Sequence, residues 1–311
     1  MTRKSDIRIG ISGWSYAPWR GKFYPKGLPH KRELSFVGES FRSVEVNGTF
    51  YGSQRPKSFA RWADEVPEDF VFAIKGPRYI THTRRLRDVE TPLANFFATG
   101  LLGLGKKLGP ILWQFPPNFK FDVELMEAFL KLLPHDARAA ARLARKHEQG
   151  FGGGKIRIET NRRLRHAIEI RHESFISPDF IKLLRKYRVA LVCADTVDWP
   201  RLMDVTADFI YCRLHGSKEL YASGYSARAL GDWARRVSVW SRGVEPRGGD
   251  RASVKKPRKR TARDVYVYFD NDMKVKAPRD AKALVEKVGK LLKRDIGPKS
   301  PPVAKQPTRV S

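Results

Sequence analysis

The sequence predicts an α/β protein built as one closed (β/α)8 barrel of the TIM type, and three observations carry that prediction. Eight short apolar runs recur along the 311 residues, and helical patterns separate most of them. Within the runs, apolar and polar residues alternate, as they do in strands whose two faces meet different surroundings. No GxGxxG follows the first run and no GxxxxGK[ST] occurs anywhere, which sets aside the dinucleotide-binding and P-loop sheets that share a βαβ pattern. Eight strands in a chain of this length favour closure over an open sheet.

The predicted strands are, in order, 7–12 (IRIGIS), 43–47 (SVEVN), 70–75 (FVFAIK) and 110–115 (PILWQF), then 167–172 (AIEIRH), 189–195 (VALVCAD), 209–216 (FIYCRLHG) and 265–271 (VYVYFDN). Helices are expected over 56–64, 92–107, 123–132, 178–188, 227–240 and 278–292, several of them opening on a proline that suits the first helical turn. The barrel should fill residues 1–294, with residues 295–311 as a disordered basic tail.

The net charge is +28, and its location matters. Residues 138–165 and 242–263 each carry nine Lys and Arg against two acids, and residues 293–311 carry five against one. These stretches hold most of the excess and include GFGGGK, PRGGDRASVKKPRKR and PKSPPVAKQP. They read as mobile basic loop insertions, at about 138–165 and 243–263, and a mobile tail. Such segments bind polyanions, nucleic acid included, weakly and in a salt-dependent way, or serve only as solvated loops.

With no run of about 18 apolar residues, no membrane span is expected. MTRKSDIRIG has no apolar signal core, so a cytoplasmic location is expected. Cys193 and Cys212 sit in apolar runs and are expected as buried, reduced thiols on opposite strand faces.

Alternation assigns the inward face. Ile7, Ile9 and Ile11 oppose Arg8, Gly10 and Ser12; Val44 and Val46 oppose Glu45 and Asn47; Ile168 and Ile170 oppose Glu169 and Arg171. Ile210, Cys212 and Leu214 oppose Tyr211, Arg213 and His215, and Val265, Val267 and Phe269 oppose Tyr266, Tyr268 and Asp270. Four carboxylates (Glu45, Glu169, Asp195 and Asp270) should then face Lys75, Arg171 and Arg213, with His215 beside them, at the strand ends where barrel enzymes keep their sites. Either a self-satisfied ionic layer or a site for an anionic ligand fits that mixture.

Seven blocks carry a resemblance: residues 13–29 (GWSYAPWRGKFYPKGLP), 43–62 (SVEVNGTFYGSQRPKSFARW), 72–86, 104–119 (LGKKLGPILWQFPPNF), 169–175 (EIRHESF), 209–225 and 265–272 (VYVYFDND). Together they resemble the YecE-like family, also called domain of unknown function 72. The resemblance implies a TIM-type barrel and no established activity. The family tends to show Asn-Asn-Asp after the last strand, where this chain has Asp270-Asn271-Asp272.

The resulting expectation is a small phosphate- or carboxylate-bearing ligand at the mouth, turned over, if at all, by acid/base chemistry of hydrolase, isomerase or lyase type. Arg171, Arg213 and Lys75 would hold the anion, and Lys75, if desolvated, would also be a nucleophilic amine. Glu169 or His215 would move a proton. Asn47, Gln114 and Asn271 would add hydrogen bonds, and His172, His82, Trp14 and Tyr51 would line the rim. Glu45, His82, Glu169, Asp195, His215 and Asp270 include metal-ligand types, but no short-spaced motif supports a metal and three cations oppose one; no metal or cofactor is expected. Nucleic-acid binding with phosphodiester cleavage, or ligand binding without turnover, are the alternatives. Oligomeric state is not legible.

Overall fold

A computed structural model describes residues 4–151, 158, 160–216, 220, 223–271 and 275–298. Among these, eight parallel strands close into a barrel in sequence order: β1 (Ile7–Ser12), β2 (Ser43–Val46), β3 (Val71–Lys75), β4 (Leu108–Gln114), β5 (His166–Glu169), β6 (Ala190–Asp195), β7 (Phe209–Leu214) and β8 (Asp264–Phe269). Closure is made by β1 against β8, registered from Ile7 opposite Val265 to Ile11 opposite Phe269. The helices are α1 (Glu33–Ser40), the single turn α2 (Gly48–Tyr51), α3 (Pro56–Asp64), α4 (Glu90–Ala98), α5 (Val123–Leu132), α6 (Ala137–Ala144), α7 (Pro178–Tyr187), α8 (Ala227–Ser241) and α9 (Lys276–Leu292). The stretch expected as one helix over 92–107 is instead α4 and a 3-10 segment, Leu101–Lys107, broken where Gly100 takes φ of 100°.

The alternation assigned the faces correctly on β1, β2, β3, β5, β7 and β8. Ile7, Ile9, Val44, Phe72, Ile168, Cys212 and Val265 join the helices in the large outer core. The lumen is filled by a separate cluster that includes Ala73, Leu112, Ala167, Ala190, Val192, Ala194, Phe209, Tyr211, Tyr266 and Tyr268. Small residues on one side of the lumen leave room for the large rings on the other, the packing a narrow barrel needs. Gly10 shows how tight it is: a Cβ there would lie 2.0 Å from the Ser43 carbonyl oxygen.

Strand β6 departs from expectation. It is apolar on both faces, so its sequence carries no phase, and its neighbours set it instead. Ala194 pairs with inward Arg213, which turns Asp195, opposite Leu214, outward. Asp195 therefore leaves the expected carboxylate group: its oxygens accept from Arg201 at 2.7 Å and from the Trp233 indole on α8 at 3.1 Å. Cys193 lies directly opposite Cys212 on the same outer face, not on the opposite one, and both thiols are free and buried.

Among the described residues no helix separates β6 from β7. The gap is covered by the segment 243–263, which joins α8 to β8. Its expected character as a mobile appendage is overturned by its contacts. Asp250 forms a bridge with Leu202 and its carbonyl accepts from Met203 N–H at 2.8 Å, while the Asp204 carboxylate accepts from Ala252 N–H at 2.8 Å and Ser253 N–H at 3.2 Å. Arg263 is buried and donates to the Arg258 and Gly243 carbonyls. The other expected insertion begins as α6, capped by Asp136, whose carboxylate accepts from Ala139 N–H, and packed on α4. Its 152–157 portion lies outside the described residues. At the start of the expected tail Ile296 is buried, and just before it Arg294 donates to the Ser5 carbonyl; the rest of that tail, 299–311, lies outside the described residues. No helix among the described residues is long and apolar enough to cross a membrane.

Asp204→Ala should remove the acceptor of two half-buried amides of the covering segment, at a cost of about 1 kcal/mol. Hydrogen exchange should then quicken at 250–256 while the strand amides of β1–β4 keep their protection.

Candidate functional site

The charged layer is built on a hydroxyl floor. Tyr268 and Ser43 hydroxyls share a 2.6 Å hydrogen bond, and Ser43 donates onward to the Val71 carbonyl at 2.7 Å. Above them Glu45 accepts from the Tyr211 hydroxyl at 2.6 Å and from the Ser12 hydroxyl at 2.8 Å. Burial and the neighbouring Glu45 push the Tyr211 phenol far up, so it remains a donor.

Arg213, fully buried, is the hub. Its Nε and Nη2 grip Glu45 at 2.8–3.1 Å, Nη2 also meets Asp270 Oδ2 at 2.8 Å, and Nη1 meets Glu169 Oε2 at 2.6 Å. Three carboxylates thus surround one guanidinium and use donors on all three of its nitrogens. Glu169 is held from its other oxygen by Arg171, through Nε at 2.9 Å and Nη2 at 2.8 Å. Burial alone would raise the Glu169 carboxyl, but Arg213, and after it Arg171, hold it well below the usual range. The same opposition, with burial raising and Arg213 lowering, takes Asp270 down to about 2. His215 bridges the two, its Nδ1 3.1 Å from Asp270 and its Nε2 3.6 Å from Glu169.

Lys75 stands apart. It is 94% buried at the end of β3, with Nζ 4.1 Å above the Phe50 ring, and no described residue gives it a hydrogen bond or ion pair. The Thr49 hydroxyl donates to its carbonyl at 2.6 Å and so fixes α2 against the strand end. Burial first, then the Arg213 charge, lowers its pKa to about 8, against the pull of Asp270, Glu45 and Glu169. On the edge of the same Phe50 ring stands His82, at 5.1 Å between centroids, with Nδ1 2.8 Å from the Thr81 hydroxyl. Burial, then Lys75, Arg78, Arg171 and Arg85, bring His82 down to about 4, so its imidazole is neutral at pH 7.

The structure thus brings Lys75, Glu169, Arg171, Arg213 and His215 into one cluster, with Gln114 beside Glu169 in register and His82 at the rim. Asn47 caps β2; its Oδ1, like that of Asn271, is buried and accepts no hydrogen bond among the described residues. Asn271 otherwise donates to the Ser223 carbonyl and Asp280, which ties β8 to α9. His172 points away from the lumen and accepts from Ser174 N–H at 3.0 Å, capping the 3-10 turn Glu173–Phe175. Tyr51 is exposed beside Phe50, and Trp14 packs edge-on against Trp62 of α3. Of the first-loop aromatics, Trp19 and Tyr24 are fully buried with Phe23 and Phe36 and form a core cluster.

Two contributors were not singled out from sequence. Trp199 lies under the Arg171 guanidinium at 4.0 Å and edge-on to His215, from a loop without periodicity that offers no signal. Thr49 sits in a four-residue turn too short to be read, beside Phe50, which the sequence places at the rim with Tyr51. Arg171, His172, Trp199, Arg201 and Arg251 line an open cleft of about 710 Å³ beside the cluster. Among the described residues no group of three or more His, Cys, Asp or Glu is arranged to hold a metal, because Glu45, Glu169 and Asp270 converge on Arg213.

The fold and this cage define the class, a (β/α)8 barrel with a charge-balanced layer at its C-terminal mouth. The sequence profile described as "Protein of unknown function DUF72" matches residues 8–305, and the chain belongs to that family. It is similar to the UPF0759 protein YecE of Escherichia coli K12, 28% identical over 159 residues, 51% of this chain and 55% of that one. The UPF0759 protein YunF of Bacillus subtilis is 28% identical over 134 residues, 42% of this chain and 46% of that one. The chain spans about half the length of these curated relatives. A DUF72 family protein of Thermotoga maritima shares the fold at a TM-score of 0.69 and 24% identity, over 93% of this chain and all of that one. One from Enterococcus faecalis does so at 0.61 and 19%, over 94% and 99%.

Arg213→Leu should strand three buried carboxylates and cost about 3–5 kcal/mol at neutral pH. In the wild type, Glu169 and Asp270 have folded pKa values below their unfolded values of about 4. Their contribution is therefore full above about pH 4 and is lost as the pH falls through the folded values, about 2 for Asp270. Urea midpoints from about pH 3 to pH 7 should fall on acidification in the wild type and rise in the variant.

Proposed function

We propose that the mouth binds a small anion bearing a phosphate or carboxylate, with Lys75 and Arg171 as the contacting cations and Arg213 as the scaffold that orders them. One observation carries this reading: Lys75 is a buried cation with no hydrogen-bond or ion-pair partner among the described residues, in a layer whose other charges are paired. Leaving such a group unpaired is costly, and an anionic ligand supplies the missing partner. Arg171 shares Glu169, lies over the Trp199 ring and borders the cleft, which places its positive charge at the wall a ligand would meet. The unsatisfied Oδ1 atoms of Asn47 and Asn271 supply hydrogen-bond acceptors. Proton transfer falls to His215, with Glu169 and Asp270 orienting the imidazole, which suits isomerase or lyase chemistry better than hydrolysis.

The test is a thermal-shift screen of phosphorylated and carboxylated metabolites. A ligand that raises the Tm of the wild type should lose most of that shift in Lys75→Met and part of it in Arg171→Ala. A full shift in Lys75→Met would remove the assignment.

A second reading concerns the segment that covers β6 and β7. Lys255, Lys256, Arg258, Lys259 and Arg260 are all exposed on it, and its base is pinned by Asp204. This ridge supports weak binding of nucleic-acid phosphates, independent of the mouth. Replacing the five with Ser should abolish binding of a DNA duplex at low salt and leave the ligand-induced Tm shift intact.

A further inference from the structure

Resting on the anion-binding reading, we propose that Lys75 is a nucleophilic amine that forms an imine with the carbonyl carbon of its ligand, so that the substrate class is an anionic oxo compound: a 2-oxo acid or a phosphorylated aldehyde or ketone. The geometry that carries this is the unusual isolation of Nζ. It sits on a ring face, which attracts an ammonium weakly but offers no acceptor. The carboxylates that would hold it protonated are committed elsewhere: Glu45 to Arg213, Tyr211 and Ser12, Glu169 to Arg213 and Arg171, and Asp270 to Arg213 and His215. From the rim, His82 is a neutral imidazole beside the Phe50 edge and adds no negative charge. A cation with cationic Arg213 across the lumen and no dedicated counter-ion among the described residues is a poor structural element. It is a suitable amine, and its lowered pKa of about 8 leaves a fraction unprotonated near neutrality.

The step balances within the site. The amine lone pair attacks the carbonyl carbon, the C=O π pair moves to oxygen, and a proton passes from nitrogen to that oxygen to give the carbinolamine. Protonation of its hydroxyl and expulsion by the nitrogen lone pair release one water and leave an iminium on Nζ. That iminium accepts the electron pair freed when an adjacent C–H or C–C bond breaks. Arg171 on its Trp199 platform is placed to hold the ligand's anionic group in the adjoining cleft, while His215 stands across the layer as the proton carrier.

The full chain is treated separately with pyruvate, glyoxylate, dihydroxyacetone phosphate and glyceraldehyde 3-phosphate in the presence of cyanoborohydride, and labelled lysines are mapped by peptide mass spectrometry. With at least one probe, Lys75 should label roughly tenfold or more faster at pH 7 than the exposed Lys26 and Lys182, because its pKa of about 8 leaves it a larger free-amine fraction than a lysine ordinarily has. Its rate should level off above about pH 8. Labelling no faster than at Lys26 and Lys182 with all four probes overturns the imine. If inorganic phosphate then still raises the Tm of the wild type but not of Lys75→Met, the anion site stands without it. If Lys75 labels but phosphate neither slows the labelling nor shifts the Tm, the imine stands and the anion-binding reading falls. Failure of both measurements removes both.

Discussion

A single guanidinium held by three carboxylates organises the upper half of this barrel. Arg213 reaches across the lumen from β7 to acids on β2 and β5 and at the end of β8, so it ties four points on the barrel's circumference at one level. Each of those acids is oriented by a further group, Tyr211 and Ser12 for Glu45, Arg171 for Glu169 and His215 for Asp270. A buried ionic layer is a poor source of net stability compared with apolar packing of the same volume. Its value lies in direction: it forces the side chains around it into one arrangement and excludes Lys75 from the pairing.

On the proposed reading, that exclusion is what separates this layer from a purely structural one. Counted as formal charges, Glu45, Glu169 and Asp270 balance Lys75, Arg171 and Arg213, so composition alone is compatible with a plug. The geometry divides the cations unequally. Arg213 takes all three acids, Arg171 takes the outer edge of one, and Lys75 takes none. On the proposed anion-binding reading, the three cations become scaffold, ligand contact and an amine without a partner among the described residues.

The fold was legible because most strands alternate or end on an inward polar residue, and alternation in a closed barrel fixes inside from outside. β6 shows the limit. With Ala, Leu, Val and Cys on both faces it carries no phase of its own, and only its register with Arg213 and Leu214 turns Asp195 and Cys193 outward. Most of the site was legible for the same reason, since Glu45, Lys75, Gln114, Glu169, Arg213 and His215 are inward positions near strand ends. Partner choice was not, because it depends on side-chain reach across the lumen. Nor was Trp199, which sits in a segment without a period. Basic, Gly-rich composition misled for residues 243–263, because anchoring there runs through backbone amides to Asp204, which residue type does not reveal.

That same segment sets an order of events during synthesis. The strands β6 and β7 and the apolar Leu202, Met203 and Val205 leave the ribosome well before the residues that cover them, which lie beyond α8. A nascent chain halted between β7 and residue 250 therefore carries an uncovered greasy seam on an otherwise advanced barrel. Chains of that length are where a trigger-factor-like holdase or a quality-control protease would find its target.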